Sequence, residues 1–551
     1  MKLFIIDAVG PFFQISPSEK NEKKNWSKIP FARLEEKWKQ NPHLFSRIRA
    51  DFQTFTHRVS SMGYNAITLD DLAHLIIFPF ASYSQKQKIR RYRAEYQKLI
   101  RIAKAQGLKI FLTSDVMFFT PEMRQFLQRS GKTYIDLLKD ALEQLFHDFS
   151  VDGVLFRIGE SDGKDVSGDF LSELVIRTPE ELNCFLKELL PVCELFQKHL
   201  ILRTWTVGAS TIGDLMWNRN TFERAFGDIN SNAFVLSMKH GESDFFQFLR
   251  FSPFFQESRH QKILELQARR EREGFGMFPF FTGWENERYI KKLKHCQNML
   301  GISVWCQTGG WSRHHDITFL QCSSPWNELN TFSAVQMFRF GKTADECVKR
   351  FFHNPNILPF LQEFFVLFSE ALYGKGDTSQ TLYFRRLRLP PLLFVHWDRV
   401  LVTPLITHVY RSFLHHLFVE HTKDLSRLVQ LGAHAHLRKT PFFAETLHLL
   451  FLCHGVLFGK ISSKNVRRKA QIYEEKYPVA YSFDIQSSRA RPPFFIRLFL
   501  RMVLRKKAHY RLWDHFLLLK PVSSALFFAF RKFLPRFANE QCMDIRTTVF
   551  R

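Results

Sequence analysis

A chain of 551 residues, 45% hydrophobic and 24% charged, is composed like a globular protein with a full core, which sets aside a disordered chain. Nowhere do about 18 apolar residues run together, so no transmembrane helix is expected. The formal net charge of +25 is unevenly placed: residues 331–551 hold 34 Lys and Arg against 15 Asp and Glu, a balance of +19 that leaves +6 for residues 1–330. Such an excess attracts anionic surfaces of any kind, and without an RNA- or DNA-binding motif beside it a nucleic-acid partner is set aside.

The N-terminal run MKLFIIDAVGPFF is short and broken by Asp7, so it reads as a first strand and not as a signal peptide. Seven further apolar runs follow, at 65–70, 108–115, 151–160, 199–205, 232–239, 262–270 and 301–307. Helix-patterned stretches separate them, such as TYIDLLKDALEQLFHDF with apolar residues at i, i+3, i+4 and i+7. Eight strand–helix units in one direction predict an α/β fold, a (β/α)8 TIM barrel over residues 1–325. From 326 to 551 the pattern is helical and basic, which predicts a mainly α-helical C-terminal domain. The eight cysteines form no CxxC pair and no zinc-type spacing, and read as buried thiols of a cytoplasmic protein.

In a parallel barrel the strand ends converge on one mouth, and here they are polar: Asp70, Asp71, Asp115, Arg157, Glu160, Arg203, Trp205, Lys239, Asp244, Glu271 and Trp311. Strand ends also carry polar residues merely because they meet solvent; the set, and not any single member, points to a site. Carboxylates gathered at such a mouth can protonate a leaving oxygen on one face of a sugar and activate water on the other. Glu160, after the glycine of RIGE, is the candidate general acid; Asp244 and Glu271, on adjacent strand ends, are the candidate paired base. Arg157, Arg203 and Lys239 project toward the same mouth. Neutral sugars do not require several buried cations, whereas a sugar carboxylate can be gripped by them. Asp70, Trp205 and Trp311 complete the expected substrate contacts, with no metal or other cofactor.

The segment KHGESDFFQF, followed 27 residues after Asp244 by Glu271 in LELQARREREG, resembles the catalytic region of family 67 glycoside hydrolases, the α-glucuronidases. Lys239 stands five residues before Asp244, as a lysine does before that family's basic aspartate. Glu265 and Gln267 lie in register on the strand before Glu271, Glu160 matches the family's acid, and Arg203 matches its strand-five arginine. The resemblance covers roughly residues 60–350. It departs where Phe156 stands in place of a lysine, where Glu242 and Ser243 replace a Pro–hydrophobic pair, and in the family's additional N-terminal domain. What it implies is an inverting hydrolase of an α-linked uronic acid or related sugar. A barrel that binds a glycan or an anionic surface without cleaving it is the alternative.

The C-terminal region carries His408, His415, His416, His421, His434 and His436, but no HExxH pattern, so these histidines read as structural or surface residues. FFIRLFLRMVLRKK interleaves bulky apolar and basic side chains, and residues 461–551 hold 19 basic against 6 acidic residues. That pattern suits either a helix packed on the barrel with a solvated basic face or a peripheral contact with an anionic membrane surface.

Overall fold

The computed structural model describes residues 1–7, 31–116, 118–158, 171–172, 175–205, 212, 215–216, 218–241, 245, 251–268, 280–306, 325–373 and 422–435. Its centre is a closed parallel barrel of eight strands: β1 (Leu3–Asp7), β2 (Ala66–Asp70), β3 (Lys109–Asp115), β4 (Gly153–Arg157), β5 (His199–Arg203), β6 (Phe234–Lys239), β7 (Gln261–Gln267) and β8 (Met299–Trp305). Each of the eight strand runs read from the sequence overlaps one of these strands, the last two of which begin one and two residues before the run. Each strand pairs with its chain neighbour, and β8 closes on β1 with Gly301 opposite Leu3. A Cβ on Gly301 would lie 1.6 Å from the Leu3 carbonyl oxygen, so this seam requires the glycine.

Successive side chains on a strand face opposite ways, and here the two faces differ in chemistry. Phe4, Ile6, Ile67, Leu112, Phe156, Leu202, Leu236, Leu264 and Val304 point outward into the core shared with the helices. The inward face begins apolar, where Ile5, Ala66, Phe111, Leu155, Ile201, Val235 and Ile263 fill the barrel floor. Two or four residues further along each strand the same face turns polar, with Asp7, Thr68, Asp70, Thr113, Asp115, Arg157, Arg203, Ser237, Lys239, Glu265 and Ser303 all buried. A packed floor beneath a polar mouth is the division of labour such barrels use.

Helices α1 (Phe31–Gln40), α2 (Leu44–Met62), α3 (Tyr83–Ala105), α4 (Pro121–Ser130), α5 (Tyr134–Asp148), α6 (Pro179–Leu195), α7 (Arg219–Phe226), α8 (Phe254–Glu257), α9 (Gly283–Leu293) and α10 (Pro325–Phe340) lie between and after the strands. Capping boxes start α3, α5 and α6 at Ser82, Thr133 and Thr178. The helix α10, at the start of the region expected to form the second domain, packs on α2, α9 and β8 in the outer ring of the barrel. Its buried face includes Asn327, Asn330, Thr331, Ser333 and Gln336. Beyond it come α11 (Ala344–Phe352), α12 (Ile357–Tyr373) and α13 (Thr422–His434), and α13 packs on α12. Among the described residues no helix is long and apolar enough to cross a membrane. The basic segment 461–551 and most of the C-terminal histidines lie outside the described residues.

Candidate active site

The mouth of the barrel holds two guanidinium groups, each set between two carboxylates from other strands. Arg157, at the end of β4, has Nε 3.0 Å from Asp115 Oδ1 on β3 and Nη2 3.4 Å from Asp70 Oδ1 on β2. Arg203, at the end of β5, pairs through Nη2 with Asp7 on β1, and its Nε lies 3.3 Å from Glu265 Oε1 on β7. Hydroxyls hold the acids in turn: Thr68 donates to Asp7 Oδ1 at 3.0 Å and Ser237 donates to Glu265 Oε1 at 2.6 Å. Both arginines are fully buried. Charges so placed are tolerable only when they are paired, and here every strand from β1 to β5 supplies a member.

Asp70 is strongly perturbed by its surroundings. Burial raises its pKa well above the usual carboxylate range; Arg157 pulls it back, while Asp71, Asp115 and Asp7 push it further up. The Tyr96 hydroxyl donates to its carbonyl oxygen, and burial raises the Tyr96 pKa as well. The neighbouring Asp71 accepts from Ser114 at 2.8 Å and lies 3.6 Å from His74 Nδ1. A carboxyl held neutral in such a cluster can donate a hydrogen bond as well as accept one.

Aromatic rings form the rest of the wall. The Arg203 guanidinium carbon lies 4.1 Å from the centre of the Trp305 ring. The Lys239 ammonium stands 3.7 Å over Trp205 and 4.6 Å from the Phe245 ring. Phe245 is buried, with its ring centre 6.0 Å from that of Trp305. Beside β6–β8 a cleft opens, lined by residues that include His240, Phe245, Gln267, Glu285, Asn286 and Tyr289. Among the described residues no group of three or more His, Cys, Asp or Glu is arranged to hold a metal ion.

Of the residues expected from the sequence, Asp70, Asp71, Asp115, Arg157, Arg203, Trp205 and Lys239 stand at this mouth, and Arg157 contacts both Asp70 and Asp115 directly. Glu160, Asp244, Glu271 and Trp311 lie outside the described residues. The chain beside three of them is described: Ile158 two residues before Glu160, Phe245 next after Asp244, and Ala268 three residues before Glu271. Sequence reasoning missed Asp7, which it took only as a break in an apolar run, and also Thr68, Ser237 and Trp305. Alternation was the available signal. Once Asp70 and Lys239 are assigned to the inward face, the period of two selects Thr68 and Ser237 on the same strands.

No protein-family model matches the chain, and no curated protein matches it. Among solved structures the chain is similar to a GH138 enzyme targeting pectin rhamnogalacturonan II, with 10% identity and a TM-score of 0.53, covering 97% of this chain and 68% of that one. A β-mannanase from the blue mussel Mytilus edulis is matched at 11% identity with a TM-score of 0.33, over 62% of this chain and 94% of the mussel enzyme. Dispersin B is matched at 11% identity with a TM-score of 0.34, over 53% and 95% of the two chains. At such identities the likeness to the GH138 enzyme establishes a shared barrel fold.

Proposed function

We propose that this protein is a glycoside hydrolase that cleaves an α-linked uronic acid or a related anionic sugar with inversion. The observation that carries the reading is the inward-facing ring of acids, cations and tryptophans at the C-terminal ends of the strands, above an apolar floor. That end of a parallel barrel is where substrates bind. Five buried carboxylates, Asp7, Asp70, Asp71, Asp115 and Glu265, share it with three buried cations, Arg157, Arg203 and Lys239. This density of charge exceeds what a packed barrel needs for stability, because well-packed apolar residues in its place would be as stable or more so.

In this reading Glu160 protonates the leaving oxygen while Asp244 and Glu271 hold the attacking water between them. An inverting pair needs about 6.5–9.5 Å between acid and base to admit that water. In the chain Glu160 follows β4, and Asp244 and Glu271 follow β6 and β7, an order that supports this division of roles. The spacing of Lys239, Asp244 and Glu271 and the resemblance to the α-glucuronidases support the uronic acid. Lys239 and Trp205 would bind the sugar, the ammonium taking its anionic group and the indole its apolar face. Arg157 and Arg203 would add positive potential from beneath, each moderated by its two carboxylates. A screen of purified protein against aryl glycosides and aryl uronides, with Glu160→Gln as control, tests the proposal. A protein that binds such sugars without turning any over would establish the non-enzymatic barrel instead.

A further inference from the structure

Helix α9 buries Asn286, Tyr289 and Leu293, a spacing of three and four residues that sets them on one face of the helix. Tyr289 and Leu293 join the hydrophobic core, but Asn286 puts a carboxamide where an apolar side chain is usual. It is 2% exposed, and its side chain has no hydrogen-bond partner among the described residues. Asn330, close by, is differently placed. Its Oδ1 accepts from the Thr282 N–H at 2.8 Å and from the Thr282 hydroxyl at 3.2 Å, and its Nδ2 donates to the Phe280 carbonyl at 3.0 Å. Buried polar groups are bonded as a rule, because an unbonded one forfeits its hydrogen bonds to water. A free carboxamide at a core position therefore calls for a reason.

Asn286 lines the cleft beside β6–β8, as does Glu285, its neighbour in the first turn of α9 and itself 1% exposed. From the barrel side the cleft is lined by Gln267, the last residue of β7, and by His240, stacked on Tyr289 with ring centres 4.8 Å apart. Phe245 joins the cleft to the mouth, since its ring lines the cleft and stands 4.6 Å from the Lys239 ammonium. The described lining holds a carboxylate and carboxamides but no Lys or Arg. Arg288, 3.6 Å from Glu285 Oε1, is half-exposed and lies outside that lining. An anionic group here would meet the Glu285 carboxylate with no lining cation to offset it. A hydroxyl suits both neighbours, because it donates to a carboxylate and accepts from a carboxamide N–H at once. The cleft is narrow, with room for one such group and not for a sugar ring.

We propose that this cleft is a subsite for one neutral hydroxyl of the substrate held at the mouth, with Asn286 donating to that hydroxyl and Glu285 accepting from it. The proposal rests on the reading of the mouth as a glycoside site and extends it: Lys239 takes the anionic group, and the cleft takes a hydroxyl. Asn286 is then a specificity-determining residue. A site built to pair with a hydroxyl rejects the analogue that lacks it, because the buried polar groups are left unpaired again.

The test combines Asn286→Leu, close to the native side chain in size, with the monodeoxy analogues of the best aryl substrate from the wild-type screen. In the wild type one analogue should lose about ten- to a hundredfold in kcat/KM, as expected for a hydrogen bond to a charged group. Asn286→Leu should lower kcat/KM for the parent substrate by about tenfold yet leave that one analogue nearly unaffected. For every other analogue the two losses should add, as they do for independent sites. Asn286→Ala takes the place of the first variant if that one does not fold. Losses that add at every deoxy position would overturn the subsite and leave hydrolysis standing. If the wild type cleaves nothing in the screen, the hydrolase reading falls and the comparison moves to binding. Dissociation constants of methyl α-glucuronide and methyl α-galacturonide and their deoxy analogues should then show the same departure from additivity in Asn286→Leu. Additive losses there, or no binding of either methyl uronide, would overturn the subsite as well.

Discussion

Arg203, at the end of β5, reaches across the barrel to pair with Asp7 on β1, the strand diametrically opposite in the closed sheet. The same guanidinium lies on Trp305 of β8 and within 3.3 Å of Glu265 on β7. One side chain therefore binds three strands from a fourth. Removing it takes away a guanidinium that two acids face in a site of 2% exposure or less. Arg203→Ala should cost about 3–5 kcal/mol in urea denaturation. The triple change Arg203→Met, Asp7→Asn, Glu265→Gln should recover much of that loss. Equal destabilisation by the single and triple changes would show that shape, and not charge pairing, holds this cluster.

Asp70 should make the protein less stable as pH rises. Its folded pKa lies above the unfolded value, so between the two the native state binds the extra proton. Stability is then greatest below the unfolded pKa, about 3.9, and falls as pH climbs toward the folded value. Asp70→Asn imitates the neutral acid and should lack this falling limb. Denaturation midpoints of both proteins across the acid-to-neutral range would reveal it; parallel curves would mean that Asp70 titrates normally.

His260 works in the opposite direction. Burial lowers its pKa to about 4, and its Nε2 lies 3.0 Å from the Phe226 carbonyl. The unfolded chain, with an imidazole pKa near 6.5, binds the proton first, so stability is lost as pH falls from about 6.5 toward 4. His260→Gln should reduce that loss, by roughly 1–3 kcal/mol at the lower end. If acid sensitivity is the same in both proteins, another group is responsible.

The strands were legible because a parallel barrel writes each one as a short apolar run that ends in polar residues. All eight runs overlap a strand, from 3–7 to 301–307. The partners within the mouth were not legible. Asp7 and Arg203 are 196 residues apart and meet only because β1 and β5 face each other across a closed sheet. Asp70 and Arg157 were both named as site residues, yet spacing alone says nothing of the pair they form. Alternation, applied from Asp70 back to Thr68 and from Lys239 back to Ser237, would have recovered two more members. In α10 the buried asparagines resist a reading by hydrophobic period, because that helix presents Asn327, Asn330 and Gln336 to the barrel where apolar residues are usual.

Lys239 should discriminate between substrates by charge. Its ammonium is buried against Trp205 and Phe245, and an anionic group bound there gains a charge-assisted contact that a neutral sugar does not. Lys239→Met should raise KM for an aryl uronide by about tenfold or more relative to the matching neutral glycoside. Equal effects on the two would remove the uronic acid from the account while leaving hydrolysis in place.

Hydrolysis is tested by turnover of a panel of aryl glycosides and uronides by the wild type and by Glu160→Gln. The wild type should release the aryl group from at least one anionic sugar. Glu160→Gln should lose about 10²–10⁴-fold in kcat on poor leaving groups and far less on those that need no protonation. A wild type inactive across the panel would rule out hydrolysis of these sugars, and a Glu160→Gln variant that matches it on a poor leaving group would rule out Glu160 as the acid.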